Sequence, residues 1–155
     1  MGNPQLANPA PLGLMGFGMT TILLNLHNIG LFPLDGIILA MGIFYGGLAQ
    51  IFAGLLEYKK GNTFGLTAFT SYGSFWLTLV AILVMPKFGM AEAANGHFLG
   101  VYLALWGVFT LFMFFGTLTG ARVLQFVFLS LTVLFALLAA GHLLDNEGIV
   151  HIAGW

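Results

Sequence analysis

Long apolar runs make up this chain, and a handful of charged residues mark where each run stops. The first run follows Asn8-Pro9-Ala10-Pro11-Leu12-Gly13-Leu14 and continues through Phe17, Thr20, Thr21 and Asn25 to Asn28. Asn before Pro is a helix-start pattern: the Asn side chain accepts from the free N–H groups of the first turn, and Pro there has no N–H to leave unpaired. The second proline opens an alternative, since Ala10 precedes Pro11 and is biased toward extended backbone. The helix starts either at Asn8 or at Pro11. Both versions leave backbone donors, and the positive end of a helix dipole, in apolar surroundings that suit an anion.

The remaining runs have lengths close to the roughly 20 residues needed to cross a bilayer core. One lies between Asp35 and Glu57; the next begins at Gly61 and is ended by Pro86, which cannot continue a helical hydrogen-bond ladder. The predicted spans are 12–28, 35–57, 61–85, 98–117 and 121–143, and the apolar stretch from about 148 reads as the start of a sixth span that is cut short. Lys59, Lys60 and Arg122 fall in the loops after spans two and four, against Lys87 alone on the opposite side. The positive-inside rule then places the N-terminus in the cytoplasm.

Composition sharpens this into a fold class. Of 155 residues, 59% are hydrophobic and only 6% charged, whereas a soluble domain carries about 25% charged residues. The chain is therefore expected to be an all-α integral membrane protein, a single transmembrane domain over 1–155. No cysteine is present, which excludes disulfides and thiolate metal sites. A net charge of -1 offers no electrostatic basis for binding nucleic acid. Residues 1–34 hold no Lys or Arg, so the first run does not read as a signal peptide.

Within the spans, two patterns stand out. Gly42, Gly46, Gln50 and Gly54 recur every four residues, a row that lets two helices approach closely in lipid. The third span carries hydroxyls at Thr63, Thr67, Thr70, Ser71, Ser74 and Thr78, next to Tyr72. Any single hydroxyl can bond back to its own helix, but a stripe of six is expected to face protein or water. It is read here as lining a hydrated path, extended by Asn25 and Gln125. No Asp, Glu, Lys or Arg falls at the middle of a span, so no carboxylate relay of the kind found in ion-coupled carriers is expected. Neither a His pair at metal-ligand spacing nor a nucleophile with an evident base appears, so no metal, cofactor or enzymatic activity is expected. His27, His97, His142 and His151 all fall at the predicted outer face.

Asn8-Pro9-Ala10-Pro11-Leu12-Gly13-Leu14, together with Phe44-Tyr45-Gly46-Gly47, Gly54-Leu55-Leu56-Glu57 and Gly61-Asn62-Thr63-Phe64-Gly65, resembles the acetate uptake transporter family over essentially the whole chain. The resemblance implies a six-helix channel protomer in a homo-hexamer of the bacterial inner membrane, with one pore per protomer for acetate and related short carboxylates such as succinate. It also implies an apolar mid-membrane constriction at Phe17, Tyr72 and Leu131. The expected pathway comprises Asn8, Pro9, Ala10, Pro11, Leu12, Gly13, Thr20, Thr21, Asn25, Gln50, Thr67, Thr70, Ser71 and Gln125, and the expected partners are the carboxylate substrate and the lipid bilayer. A charge-free path would equally suit urea or ammonia, and a non-transporting membrane scaffold is the reading from a different class.

Overall fold

The computed structural model describes residues 6–155, and among these every regular element is helical. Helix α1 (Ala10–Asn28) is followed by α2 (Gly36–Met41), a π-helical segment (Gly42–Ala49) and α3 (Gln50–Lys59), which run on without a break. Helix α4 (Thr63–Val84) ends in a 3-10 turn (Met85–Phe88), and α5 (Gly96–Thr117), α6 (Arg122–Leu143) and the short α7 (Glu147–Gly154) follow. The helix bounds fall within a few residues of the runs read from the sequence.

Among the described residues, four stretches are long and apolar enough to cross a membrane: Gly36–Lys59, Thr63–Phe88, Gly96–Thr117 and Arg122–Leu143. Helix α1 is not among them. Its glycines, Thr20, Thr21, Asn25, His27 and Asn28 dilute the apolar residues of the expected first span.

The start of α1 falls between the two expected positions. The Gly13 N–H donates to the Pro9 carbonyl at 3.2 Å, so the ladder begins at Pro9. The Asn8 Oδ1 accepts from the Ala10 N–H at 3.3 Å, closing a turn just ahead of the helix. Pro11 then occupies the second helical position, where a missing N–H costs nothing.

Other helix starts are capped in the ordinary way: Asp35, Asn62, Asn95 and Asn146 each accept from a backbone N–H two or three residues on. Gly61 ends α3 at φ 70°. Its N–H reaches the Tyr58 carbonyl while the Asn62 N–H reaches that of Glu57, a paired closure that requires the left-handed conformation. Asn62 thus terminates one helix and caps the next.

The chain divides into two compact units. The first comprises residues up to Leu23 with Asp35–Met90, and here the glycine row packs the π segment and α3 against α4. An added Cβ would lie 2.7 Å from Val80 at Gly42, 2.9 Å from Trp76 at Gly46 and 2.6 Å from Thr70 at Gly54. From the other side, a Cβ at Gly73 would lie 2.8 Å from the Gly47 carbonyl. The close-approach reading of the row is correct, and its partner is α4 of the same chain.

The second unit comprises Leu24–Leu34 with Ala91–Trp155. Helices α5 and α6 pack along their lengths over Leu103, Met113, Phe128, Leu131, Phe135 and Leu138, and α7 folds back on α6. In both units large apolar side chains face outward: Phe44, Phe52, Phe112 and Phe126 are each at least 60% exposed. Apolar surface on this scale is that of a protein facing lipid or neighbouring subunits.

The glycine contacts predict a specific loss. Gly54→Ala places its Cβ 2.8 Å from the Thr70 backbone nitrogen, which cannot move aside, and overpacking of this kind costs about 1–3 kcal/mol. Gly18→Ala meets nothing within 4 Å and relieves a helical glycine, a gain of roughly 0.5–1 kcal/mol. Thermal melting of the purified protein in detergent should fall for Gly54→Ala and hold or rise for Gly18→Ala.

Candidate functional site

The first unit assembles most of the residues expected to line a path. At the start of α1, the Asn8 Oδ1 accepts from the Lys60 Nζ at 2.9 Å, so an ammonium group stands beside the free donors of the helix end. Lys60 was legible only as loop charge, 52 residues from Asn8. Gly13 and Gly16 let α1 lie close to its neighbours: a Cβ on Gly13 would sit 2.6 Å from the Phe69 ring, and one on Gly16 2.7 Å from the Tyr45 carbonyl. The glycine of the Asn8–Leu14 motif is thus a packing residue, and Leu12 is exposed.

One turn past Gly13, the Phe17 ring meets Tyr72 of α4 edge-on at 5.3 Å and Trp76 at 6.5 Å. Tyr72 and Trp76 are buried. Trp76 was not singled out from the sequence, and its i+4 spacing from Tyr72 was the available signal. Thr20 lies one further turn along α1, fully buried, with its hydroxyl donating to the Gly16 carbonyl at 2.7 Å. Thr21 donates likewise to Phe17 at 2.8 Å.

Gly46 of the π segment brings this group together, since a Cβ there would touch both Thr20 Oγ1 and the Trp76 indole at 2.9 Å. One turn on, Gln50 is 1% exposed. Among the described residues, the Gln50 Oε1 and the Trp76 Nε1 have no hydrogen-bond partner. The first is an acceptor and the second a donor, each buried at a desolvation cost.

The hydroxyls of α4 are more dispersed than a single lining face. Thr70 donates to Leu66 at 2.5 Å, Ser74 to Thr70 at 2.8 Å and Thr78 to Phe75 at 2.9 Å, so half of the stripe bonds back to its own helix. Thr67, Thr70 and Ser71 are half-buried, whereas Thr63, Ser74 and Thr78 are exposed.

Glu57, read from the sequence as loop punctuation, is fully buried. Its Oε2 accepts from the Asn62 Nδ2 at 2.7 Å, while the Asn62 Oδ1 caps α4 through the Gly65 N–H at 3.1 Å. The carboxylate therefore sits at the positive end of α4. Gly65 makes room for it, as a Cβ there would lie 2.9 Å from the Glu57 side chain.

The second unit holds the other expected residues. Leu131 is buried on α6. Asn25 accepts from the Asn28 amide at 3.1 Å. The Gln125 Nε2 donates toward the carbonyls of Thr117, Leu118 and Gly120 at 3.2–3.4 Å, which caps the end of α5. Gln125 thus has a structural use that its position in a predicted span did not reveal.

Removing the Glu57 partner should cost more than an ordinary cap. Asn62→Ala forfeits the cap, about 1 kcal/mol, and strands a buried carboxylate, roughly a further 1–3 kcal/mol or more. Melting of Asn62→Ala, Glu57→Gln and the double variant should give a double that loses less than the two single losses combined.

The profile of the GPR1/FUN34/yaaH family matches residues 1–155. The chain is 83% identical over 155 residues to the succinate-acetate/proton symporter SatP of Escherichia coli (strain K12), covering 100% of this chain and 82% of that protein. It is 38% identical over 154 residues to acetate permease A of Emericella nidulans, covering 92% of this chain and 52% of that one. The solved structure of the bacterial acetate channel SatP superposes with a TM-score of 0.97 at 83% identity, covering 97% of this chain and 83% of that one. The relatives are named as transporters and channels, not enzymes, and the chain belongs to the GPR1/FUN34/yaaH family.

Proposed function

We propose that this protein is a channel-like transporter that takes up acetate and related short carboxylates, succinate among them, across a bacterial membrane. The observation that carries the reading is the 83% identity, over nearly the whole chain, with an acetate channel of closely similar fold. The protein works as a homo-hexamer in the inner membrane with its N-terminus in the cytoplasm, and α1 crosses the bilayer with the four more apolar stretches. The Asn8 and Lys60 end of α1 receives or releases the anion on the cytoplasmic side. Phe17 and Tyr72 supply apolar surface at mid-depth in the first unit.

The substrate crosses as the neutral acid. Moving a bare charge to the bilayer centre costs roughly 2.5–3.5 kcal/mol even on a lenient insertion scale. Taking a carboxyl pKa of about 4.3, protonation near pH 6 costs about 2.3 kcal/mol, so the neutral route is at least competitive. A protonated carboxyl group offers one acceptor and one donor. The buried Trp76 Nε1 and Gln50 Oε1, on packed elements of one unit, are the complementary pair.

Labelled-acetate uptake into proteoliposomes tests this. At fixed total acetate, uptake should rise as external pH falls, following the protonated fraction, and should do so equally in a variant lacking His27, His97, His142 and His151. A pH dependence that vanishes with the histidines would assign the proton to the protein, and urea flux equal to acetate flux would overturn the carboxylate reading.

Gln50→Leu separates transport from folding. It removes an unsatisfied buried acceptor, so melting should be unchanged or raised, while acetate uptake should fall by roughly tenfold, the worth of about one hydrogen bond.

A further inference from the structure

We propose that the second unit carries a binding site for a short dicarboxylate, built by His27, His142 and His151 and competent when these imidazoles are protonated. The site deepens the transport reading and rests on it for its external orientation. The three histidines are dispersed over the sequence, yet with Glu147 they line one open cavity of about 580 Å³, where α1 ends and α7 begins. That volume lies within the roughly 300–1,000 Å³ typical of small-molecule sites.

Local geometry orients the rings. Gly30, at φ 77°, turns the chain back after α1. A Cβ on Gly30 would stand 3.5 Å from the His151 Nε2, so the loop can close against α7. The His27 Nδ1 donates to the Phe32 carbonyl at 3.0 Å. This bond holds the proton on Nδ1 in the neutral ring and leaves Nε2 an acceptor, which becomes a donor once the ring is protonated.

The charges around the cavity select the ligand. The ionisable groups of this unit near it are His27 on α1, His97 on α5, His142 on α6, Asp145 in the turn, and Glu147 and His151 on α7. His97 and Asp145 pair at 3.4 Å and offset each other when His97 is charged. With its three imidazoles protonated, the cavity is left two net positive charges after Glu147, which matches a dicarboxylate and exceeds a monocarboxylate. With the imidazoles neutral, Glu147 and the then uncompensated Asp145 remain and repel any anion. Anion and protons therefore bind together.

Calorimetric titration of succinate and of acetate into the purified full-length protein, at about pH 6 and about pH 8 on either side of the imidazole pKa, tests the assignment. Succinate should bind roughly tenfold or more tightly at the lower pH, and more tightly than acetate. The triple variant His27→Gln, His142→Gln, His151→Gln should lose this binding, His97→Gln should keep it, and Glu147→Gln should strengthen it. The Glu147→Gln gain cannot be produced by misfolding. Equal affinity for acetate, pH-independent binding, or no response to Glu147→Gln would overturn the site. Acetate uptake by the triple variant in proteoliposomes reads the transport function separately: uptake retained with succinate binding lost supports the site, whereas no acetate uptake in the parent overturns the transport reading alone.

Discussion

Helices surrounded by apolar solvent gain nothing from hiding apolar side chains, so they must be held by contact at short range. In the first unit the shortest of those contacts are made at glycines. Gly42, Gly46, Gly47 and Gly54 on one side, and Gly73 on the other, bring backbone and side chains to separations that any Cβ would violate. The consequence reaches beyond cohesion. Because the helices are this close, the indole of Trp76 and the polar side chains of Gln50 and Thr20 are shut away from solvent together.

The polar groups so enclosed fall into two kinds. Threonine and serine hydroxyls satisfy themselves on the preceding turn, and Glu57 is matched by Asn62 at Oε2 but has no partner at Oε1 among the described residues. Gln50 and Trp76 retain capacity that the fold does not use. A passage for small carboxylic acids needs few such groups, because each strong bond formed on the way in must be broken on the way out.

The sequence revealed most of the fold because charges are so scarce that, from Asp35 onward, they punctuate the helices, while α1 is marked by its Asn-Pro start instead. It revealed depth and partnership poorly. Glu57 looked like a loop charge because a one-dimensional pattern carries no information about burial. Gln125 looked like a pathway residue because an amide near a helix start reads the same whether it faces a path or folds back on the preceding turn. The glycine row disclosed a close-packed face but not that α4 was its partner, since periodicity orients a face without naming its neighbour. The three histidines of the second unit line one cavity only once α7 folds back on α6 at the turn through Asp145, and their separation in sequence concealed that.

The π-helical stretch Gly42–Ala49 has no sequence signature beyond its small residues, yet it sets the phase of everything after it. Its i→i+5 bonding accommodates one residue more than an α-helix would. Relaxing that segment to α geometry would rotate α3 against α2 by about 100°, one residue's worth of helical turn. Gln50, Ala53, Gly54 and Glu57 would then leave their buried face together. The stretch is therefore a phase lock: an insertion or deletion of a single residue there would leave every local helical preference intact while turning the buried face of α3 about 100° away from α4.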